Sequence, residues 1–451
     1  MRGADTIRGR SKCLVGVTAL TRCVRESESV FGIVPEENRF ALASAGDRIV
    51  LFRATGHGLA SQFSTDGAHW EAAGTEGHDA RRLWPLCSGE SVDGADLFCV
   101  TDRGDIVSVA LGDGLPGALA GVVPTPEAGE WYEAAPTPHD VAIVQGRDDR
   151  QYRALFCARR TRGRRPERRA CIGLARSANL RTWSVEPPVF APNRYARMFS
   201  PHVCNEPGRT VLFYATPEQG GVRALRYALA RDPEGPYERT DPDLLSCDAR
   251  AMIHTVRLRD RRLVFFGRAL PGELHLASVS RPGVLRFLPD GRPVVMFFDG
   301  LLSLLSRTLL QTDADLASSE PLARIAPAHA ANTRFTARMQ SENASAAGLL
   351  IRAAVGGHDN VTLWLDFDEG AVILRRGLQG RLLGRADRQI QPGRDYRVAL
   401  WAEGAFIDVF LDDEWILTTH TGTRRAGAFG FVVSGGSARF REATAQTIGE
   451  A

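Results

Sequence analysis

Lysine is almost missing from this chain. Lys12 is the only one, so the positive charge rests on arginine, a bias that with abundant alanine and glycine marks GC-rich coding rather than a class of partner. The net charge is only +3 over 451 residues, and the two signs are interspersed along the whole length, which excludes the basic footprint of a nucleic-acid binder. The densest basic run, Arg159 to Arg169, lies between two apolar strand-like runs, Tyr152–Ala158 and Cys171–Ala175, and reads as a solvated hairpin loop. No apolar run approaches the ~20 residues of a membrane-spanning helix. The N-terminal stretch is basic, but its apolar segment is short, broken by threonine and without a convincing cleavage site. A cytoplasmic protein with neither nucleic acid nor membrane as partner is expected. The eight cysteines form no C-x-x-C pair and stand at no zinc-ligand spacing from histidine, so no metal and no cofactor are expected. Several lie inside apolar runs such as Leu97-Phe98-Cys99-Val100, where a reduced thiol behaves as a small hydrophobe.

Helical periodicity is also scarce. In its place short apolar or alternating runs recur, separated by Gly, Asp, Asn or Pro: Arg48–Ala54, Ala95–Thr101, Tyr152–Arg159, Thr210–Thr216 and Arg262–Arg268. This is the pattern of an all-β protein. Three of the connections share one plan, a strand running into a polar turn with an aromatic residue after it: Phe63 to Trp70, Ala175 to Trp183 and Leu229 to Tyr237. The interval from Trp70 to Trp183 is close to twice that from Trp183 to Tyr237, so the repeat is long enough for four strands, as a propeller blade requires. With the motif-poor stretch 80–125 counted as a blade, the spacing predicts a five-bladed β-propeller over residues 30–300, preceded by an extension at 1–29. Residues 301–332 read as an apolar linker. Residues 333–451 give alternating strands without the turn motif, such as Val361–Phe367, Tyr396–Trp401 and Ile407–Asp412, and predict a β-sandwich.

The blade turn Ser177-Ala178-Asn179-Leu180-Arg181-Thr182-Trp183 resembles the Ser-x-Asp-Leu-x-x-Trp motif of glycoside hydrolase family 32, the β-fructofuranosidases and fructan enzymes, and of the neighbouring family 43. The stretch from Ser200-Pro201-His202 into Val211-Leu212-Phe213-Tyr214, and the run Phe410 to Leu417, resemble a blade and the late sandwich strands of family 32. The resemblance implies a propeller followed by a jelly-roll-like or concanavalin-like sandwich. It also implies three axial carboxylates: an aspartate nucleophile in Asn-Asp-Pro-Asn-Gly, a stabilising aspartate in Arg-Asp-Pro and an acid/base glutamate in Glu-Cys-Pro. Such groups suit an oxocarbenium-like centre, which needs one carboxylate to attack or steady it and another to protonate the leaving oxygen.

Carried over residue by residue, the resemblance puts Glu36 in the nucleophile's place and Asn38 beside it, although the surrounding motif is not preserved and an exposed acidic turn is the other reading. Asp140, in Thr137-Pro138-His139-Asp140-Val141, takes the place of the stabilising aspartate or of a turn aspartate, with His139 as a neighbouring substrate contact. The literal Arg231-Asp232-Pro233 lies in a blade turn, on the outside. At Met198-Phe199-Ser200-Pro201 the proline aligns with that of Glu-Cys-Pro and sets Phe199 where the proton donor belongs. Glu206 and His202 are the remaining candidates for that role, a turn glutamate and a structural histidine being the other reading. Asp248 resembles the aspartate of a family 32 Asp-Phe-Tyr-Ala segment, and His254 either the axial histidine of family 43 or a satisfied core histidine. The catalytic set expected is therefore Glu36, Asp140 and Glu206, with Asn38, His139, His202, Asp248 and His254 binding substrate.

Three functions fit these residues: a glycoside hydrolase or glycosyl-transfer enzyme acting on a furanosyl or related small glycoside in the funnel; a non-catalytic propeller that binds a glycan or small molecule; and a biosynthetic tailoring enzyme that reuses the fold. The partner expected in each case is a small molecule or oligosaccharide.

Overall fold

The computed structural model describes residues 40–449 except 56–57, 77–82, 92–93, 102, 113–114, 138–139, 146–150, 163–164, 166–167, 219–222, 270–275, 355–359 and 423–425. Period-two alternation interrupted by tight polar turns leaves the backbone no partner but a neighbouring strand, so the chain folds as successive antiparallel hairpins. The first blade is β1 (Phe40–Ala45), β2 (Arg48–Thr55), β3 (Gly58–Ser64) and β4 (Glu71–Glu76). The second is β5 (Leu83–Ser91), β6 (Gly94–Thr101), β7 (Ile106–Gly112) and β8 (Leu115–Val123). The third is β9 (Val141–Gln145), β10 (Tyr152–Arg159), β11 (Ala170–Ser177) and β12 (Ser184–Phe190). The fourth is β13 (Phe199–Glu206), β14 (Arg209–Pro217), β15 (Arg223–Ala230) and β16 (Glu238–Cys247). The fifth departs from this plan. Its β17 (Arg250–Leu258) and β18 (Arg261–Ala269) pair as usual, but β18 then pairs with both β19 (Leu276–Val279) and β20 (Gly283–Phe287), and β20 pairs with β21 (Pro293–Phe297).

The first strand of each blade neighbours the first strand of the next, β1 to β5 to β9 to β13 to β17, and β17 returns to β1, so the ring is closed. The apolar faces meet between blades. Val50, Phe52, Leu97 and Val109 pack between the first and second, Phe98, Val123, Ile143 and Phe156 between the second and third, and Leu155, Ile172, Leu212 and Tyr214 between the third and fourth.

The repeated polar turn explains how the blades are held in sequence. In the third blade the Ser177 hydroxyl accepts from the Asn179 and Leu180 amides at 3.2 and 2.8 Å, while Asn179 Oδ1 accepts from the amides of Arg181 and Thr182. In the first blade Ser64 and Asp66 do the same for Gly67, Ala68 and His69. Each turn delivers its aromatic residue to the preceding blade. Trp183 Nε1 donates to the Pro124 carbonyl just past β8 at 2.7 Å, the Tyr237 amide donates to Val189 of β12 at 3.0 Å, and Trp70 packs edge-to-face on Phe265 of β18. The Arg159–Arg169 run is the β10–β11 hairpin loop, where Arg159 and Arg169 both pair with Glu133.

The second compact unit begins at Leu305. One of its sheets carries Leu305–Ser318, Thr333–Ser341, Asp395–Glu403, Phe406–Leu411, Glu414–His420 and Gly436–Ile448; the other carries Leu322–Ala330, Ala346–Ala353, Val361–Asp366, Ala371–Arg376, Leu382–Asp387 and Gly427–Ser434. Phe335, Leu363, Leu400, Phe431 and Phe440 are among the side chains filling the space between them. The stretch expected as a linker thus supplies two strands of the sandwich. Leu305–Ser318 pairs with Gly436–Ile448 through three register breaks, which blur the alternation a strand would otherwise display in sequence. No helix among the described residues is long and apolar enough to cross a membrane.

Gly67 sits at φ +78° in the first-blade turn, and a Cβ there would lie 2.8 Å from Leu263 and 3.1 Å from Phe298, both in the fifth blade; Gly46, at φ +63°, faces open space. Either substitution to alanine should cost about 1–2 kcal/mol for the left-handed backbone. Gly67→Ala should cost measurably more than Gly46→Ala in denaturant titrations, the difference being the contact that closes the ring. Equal losses would mean that the closure is loose.

Candidate active site

Asp140 stands immediately before β9, its own amide donating to the Thr137 carbonyl at 3.0 Å. Both of its carboxylate oxygens are engaged: Thr137 Oγ1 donates to Oδ2 at 3.0 Å, and the backbone amide of Ser200 donates to Oδ1 at 3.0 Å. The second bond crosses from the third blade to the fourth. It is available because Ser200 adopts φ +47°, in the left-handed region, where the β13–β14 register slips between Phe199 and His202. A non-glycine residue held there is costly unless its surroundings enforce it, and such outliers gather where function needs a fixed geometry.

Phe199 opens β13 one residue before that bond. Its ring lies within cation–π range of two arginines, with Arg197 Cζ 5.1 Å and Arg223 Cζ 5.2 Å from the centroid. Behind them in the same blade Arg226 joins the acidic groups, Nη1 to Asp243 at 2.8 Å and Nη2 to Glu218 at 2.6 Å, with Nε to Thr216 at 2.9 Å. Tyr195 completes the network by donating to Asp243 at 2.9 Å, and burial pushes its phenol up to about 12, so it remains a donor.

Farther along the axis three rings from three innermost strands meet. His254 of β17 packs edge-to-face against Phe40 of β1 at 4.9 Å and against His202 of β13 at 5.1 Å. His202 Nε2 accepts from the Thr255 amide at 3.0 Å and lies 2.9 Å from the Thr255 hydroxyl, so its ring proton is on Nδ1. Protonating Nε2 would set a new N–H against the Thr255 N–H. Loss of water around the ring holds the His202 pKa well below its usual range, and His254 and the Arg262 guanidinium push it the same way.

The remaining sequence candidates are dispersed. Glu206 ends β13, seven residues beyond Phe199 and so ~23 Å along the strand, where Arg262 Nε donates to it at 2.8 Å. The structure therefore does not bring Glu206 to Asp140; proximity in sequence to the Phe199 proline motif concealed the length of an extended strand. Asp248 lies at the head of the fifth blade, with both its oxygens engaged by Arg250 and the two side chains only 4% and 1% exposed. His254 is the fifth residue of β17 rather than its first, and with His202 it forms part of the ring stack. Glu36, Asn38 and His139 lie outside the described residues. Arg231-Asp232-Pro233 is the outer turn between β15 and β16, as expected, and the adjacent Glu234 receives Arg153 and Arg176 of the third blade. Among the described residues no three His, Cys, Asp or Glu side chains gather as a metal site.

Sequence reading missed Ser200, Arg197 and Arg223. Arg197 and Ser200 flank the Phe199 position and could have been noticed. Arg223 reaches Phe199 only through the β13–β14–β15 register, Phe199 opposite Ala215 and Pro217 opposite Arg223, which local sequence does not display.

No protein-family model and no curated protein sequence matches the chain. Solved structures do. A family 32 β-fructofuranosidase from Bombyx mori in complex with sucrose superimposes with TM-score 0.65 and 13% identity, over 92% of this chain and 90% of that one. An exo-inulinase from Aspergillus awamori gives 0.63 and 11%, over 92% and 97%. A sucrose-6-phosphate hydrolase from Lactobacillus gasseri gives 0.58 and 12%, over 92% and 94%. The chain has the family 32 fold, a five-bladed propeller followed by a β-sandwich.

The His202 environment has a consequence for pH. Above 6.5, the ordinary histidine value, native and unfolded chains both keep this ring neutral. As the pH falls below 6.5 the unfolded chain binds a proton that the native ring refuses, so stability is lost down to the lower native pKa. In His202→Gln, whose amide oxygen can still accept from Thr255, the loss of stability between pH 7.5 and 5 should be smaller than in the wild type. Equal pH dependence in the two proteins, measured by urea unfolding, would assign the titration elsewhere.

Proposed function

We infer that this protein is a glycoside hydrolase-type enzyme acting on a furanosyl or related small glycoside at the head of the propeller axis. Asp140 is the carboxylate that steadies positive charge at the anomeric carbon. The observation that carries this reading is the orientation of Asp140 by two hydrogen bonds, one from each of two blades, at the heads of β9 and β13. A carboxylate so fixed needs little reorganisation as charge develops opposite it, and that preorganisation is where electrostatic catalysis gains most. The names of the superimposing structures, enzymes of sucrose and inulin, support a sugar substrate. Glu36 would supply the attacking carboxylate, one methylene longer than the family's aspartate, with Asn38 and His139 beside the sugar.

Phe199 in the donor's place gives the second reading, a propeller that binds a glycan without cleaving it. The distant Glu206 and the locked Asp248 favour it, since neither is poised to protonate a leaving group.

Turnover decides between the two. A missing proton donor should cost poor leaving groups ~10²–10⁴-fold, so an aryl furanoside should be cleaved and sucrose hardly at all. Asp140→Asn should reduce kcat/KM on the aryl furanoside by ~10²-fold or more with little change in Tm. Efficient sucrose hydrolysis indifferent to Asp140→Asn would overturn the assignment, and sugar binding without any turnover would establish the non-catalytic reading.

A further inference from the structure

The residue in the donor's place is not merely apolar. Phe199 draws two guanidinium groups to within 5.1 and 5.2 Å of its ring, and the backbone step from Phe199 to Ser200 ties that ring to the Asp140 carboxylate. A third cation, the exposed Arg194, lies over Tyr195 at 5.7 Å. Of the acidic groups of this blade, Glu218 and Asp243 are engaged by Arg226, and Asp243 also by Tyr195. A proton source has thus been exchanged for positive charge at the point where the leaving group of a glycoside departs. Arg197 and Arg223 keep other contacts besides the ring; what matters for a departing anion is their charge and reach. Guanidinium groups suit a phosphate in both charge and geometry, and they cannot act as acids near neutral pH.

Building on the glycoside reading above, we propose that the substrate is a furanosyl phosphate, cleaved at its anomeric carbon–oxygen bond with the phosphate leaving beside Arg197 and Arg223. The substrate reacts as its monoanion: the electron pair of that bond goes to the phosphate oxygen, which departs as the hydrogen phosphate dianion and needs no further proton. Asp140 faces the positive charge left on the sugar. Water completes the reaction at the anomeric carbon and releases one proton to solvent, so furanosyl phosphate and water yield free sugar and inorganic phosphate. Phosphate is a far better leaving group than the alkoxide of a second sugar, and charge stabilisation replaces general acid catalysis.

The test uses the full chain and three substrates: arabinofuranose 1-phosphate, an aryl arabinofuranoside, and a disaccharide carrying a phosphate on its terminal carbon, away from the scissile bond. Expected are release of inorganic phosphate from the first, and inhibition of aryl furanoside turnover by added inorganic phosphate at matched ionic strength. Arg197→Gln/Arg223→Gln should lose at least tenfold more kcat/KM on the furanosyl phosphate than on the aryl furanoside. Phe199→Glu, whose carboxylate pairs with the arginines, should abolish phosphate inhibition. If the double variant does not fold, the phosphate inhibition of the wild type and its loss in Phe199→Glu still decide. Turnover of the aryl furanoside with neither phosphate release nor phosphate inhibition would overturn the proposal and leave the glycosidase reading standing. Preferred cleavage of the terminally phosphorylated glycoside would overturn it in favour of phosphate recognised away from the scissile bond. With no turnover and no binding of any sugar, both readings would fall.

Discussion

Three of the five seams of the propeller depend on one recurrent interaction, the grip of a polar turn on the blade before it. A serine hydroxyl and an Asn or Asp side chain cap the backbone amides of a short loop, and the stiffened loop presents an aromatic residue to its neighbour. An isolated four-stranded blade has two apolar faces to cover, and only contact with its neighbours on either side can cover them. The turns set the order and angle in which those faces meet. Closure of the ring uses the same device, since the first-blade turn carrying Gly67 and Trp70 rests on the fifth blade.

Because the innermost strands converge, the residues at their heads come from different blades, and their relations are set by seams rather than by local sequence. Asp140 illustrates this: one of its bonds is local, to Thr137, and the other reaches across to Ser200. The ring stack of Phe40, His202 and His254 is likewise assembled from three strands far apart in sequence. Arginine serves at several seams, from Glu234 with Arg153 and Arg176 to Glu206 with Arg262, in keeping with a chain that has a single lysine.

Much of the fold was legible because period-two alternation and a spaced turn motif are local signals. The turn at Ser177 to Trp183 identifies a blade on its own, and Leu83–Val123, which lacks the motif, still falls into four strands of the right length. The site was less legible. Asp140 could be singled out by its position before a strand, but its orientation depends on a left-handed Ser200 in another blade. Glu206 misled because an extended strand carries a residue seven positions on to the opposite end of the blade. Asp248 misled because a salt bridge to Arg250 two positions away cannot be told in sequence from a carboxylate that faces solvent. The strand Leu305–Ser318 reads as a linker in sequence because its register breaks interrupt the alternation.

The bond from Ser200 to Asp140 ties the carboxylate's direction to the alignment of two separate sheets. On the outer side of the same seam, Glu234 of the fourth blade clasps Arg153 and Arg176 of the third. The clasp and the Ser200–Asp140 bond are thus separate links across one seam. A slip of one sheet along the other would move the Ser200 amide that fixes Asp140 Oδ1. Substitutions far from the axis can therefore retune the chemistry of this fold while every axial side chain remains in place, which offers a route to new activities that leaves the blades themselves intact.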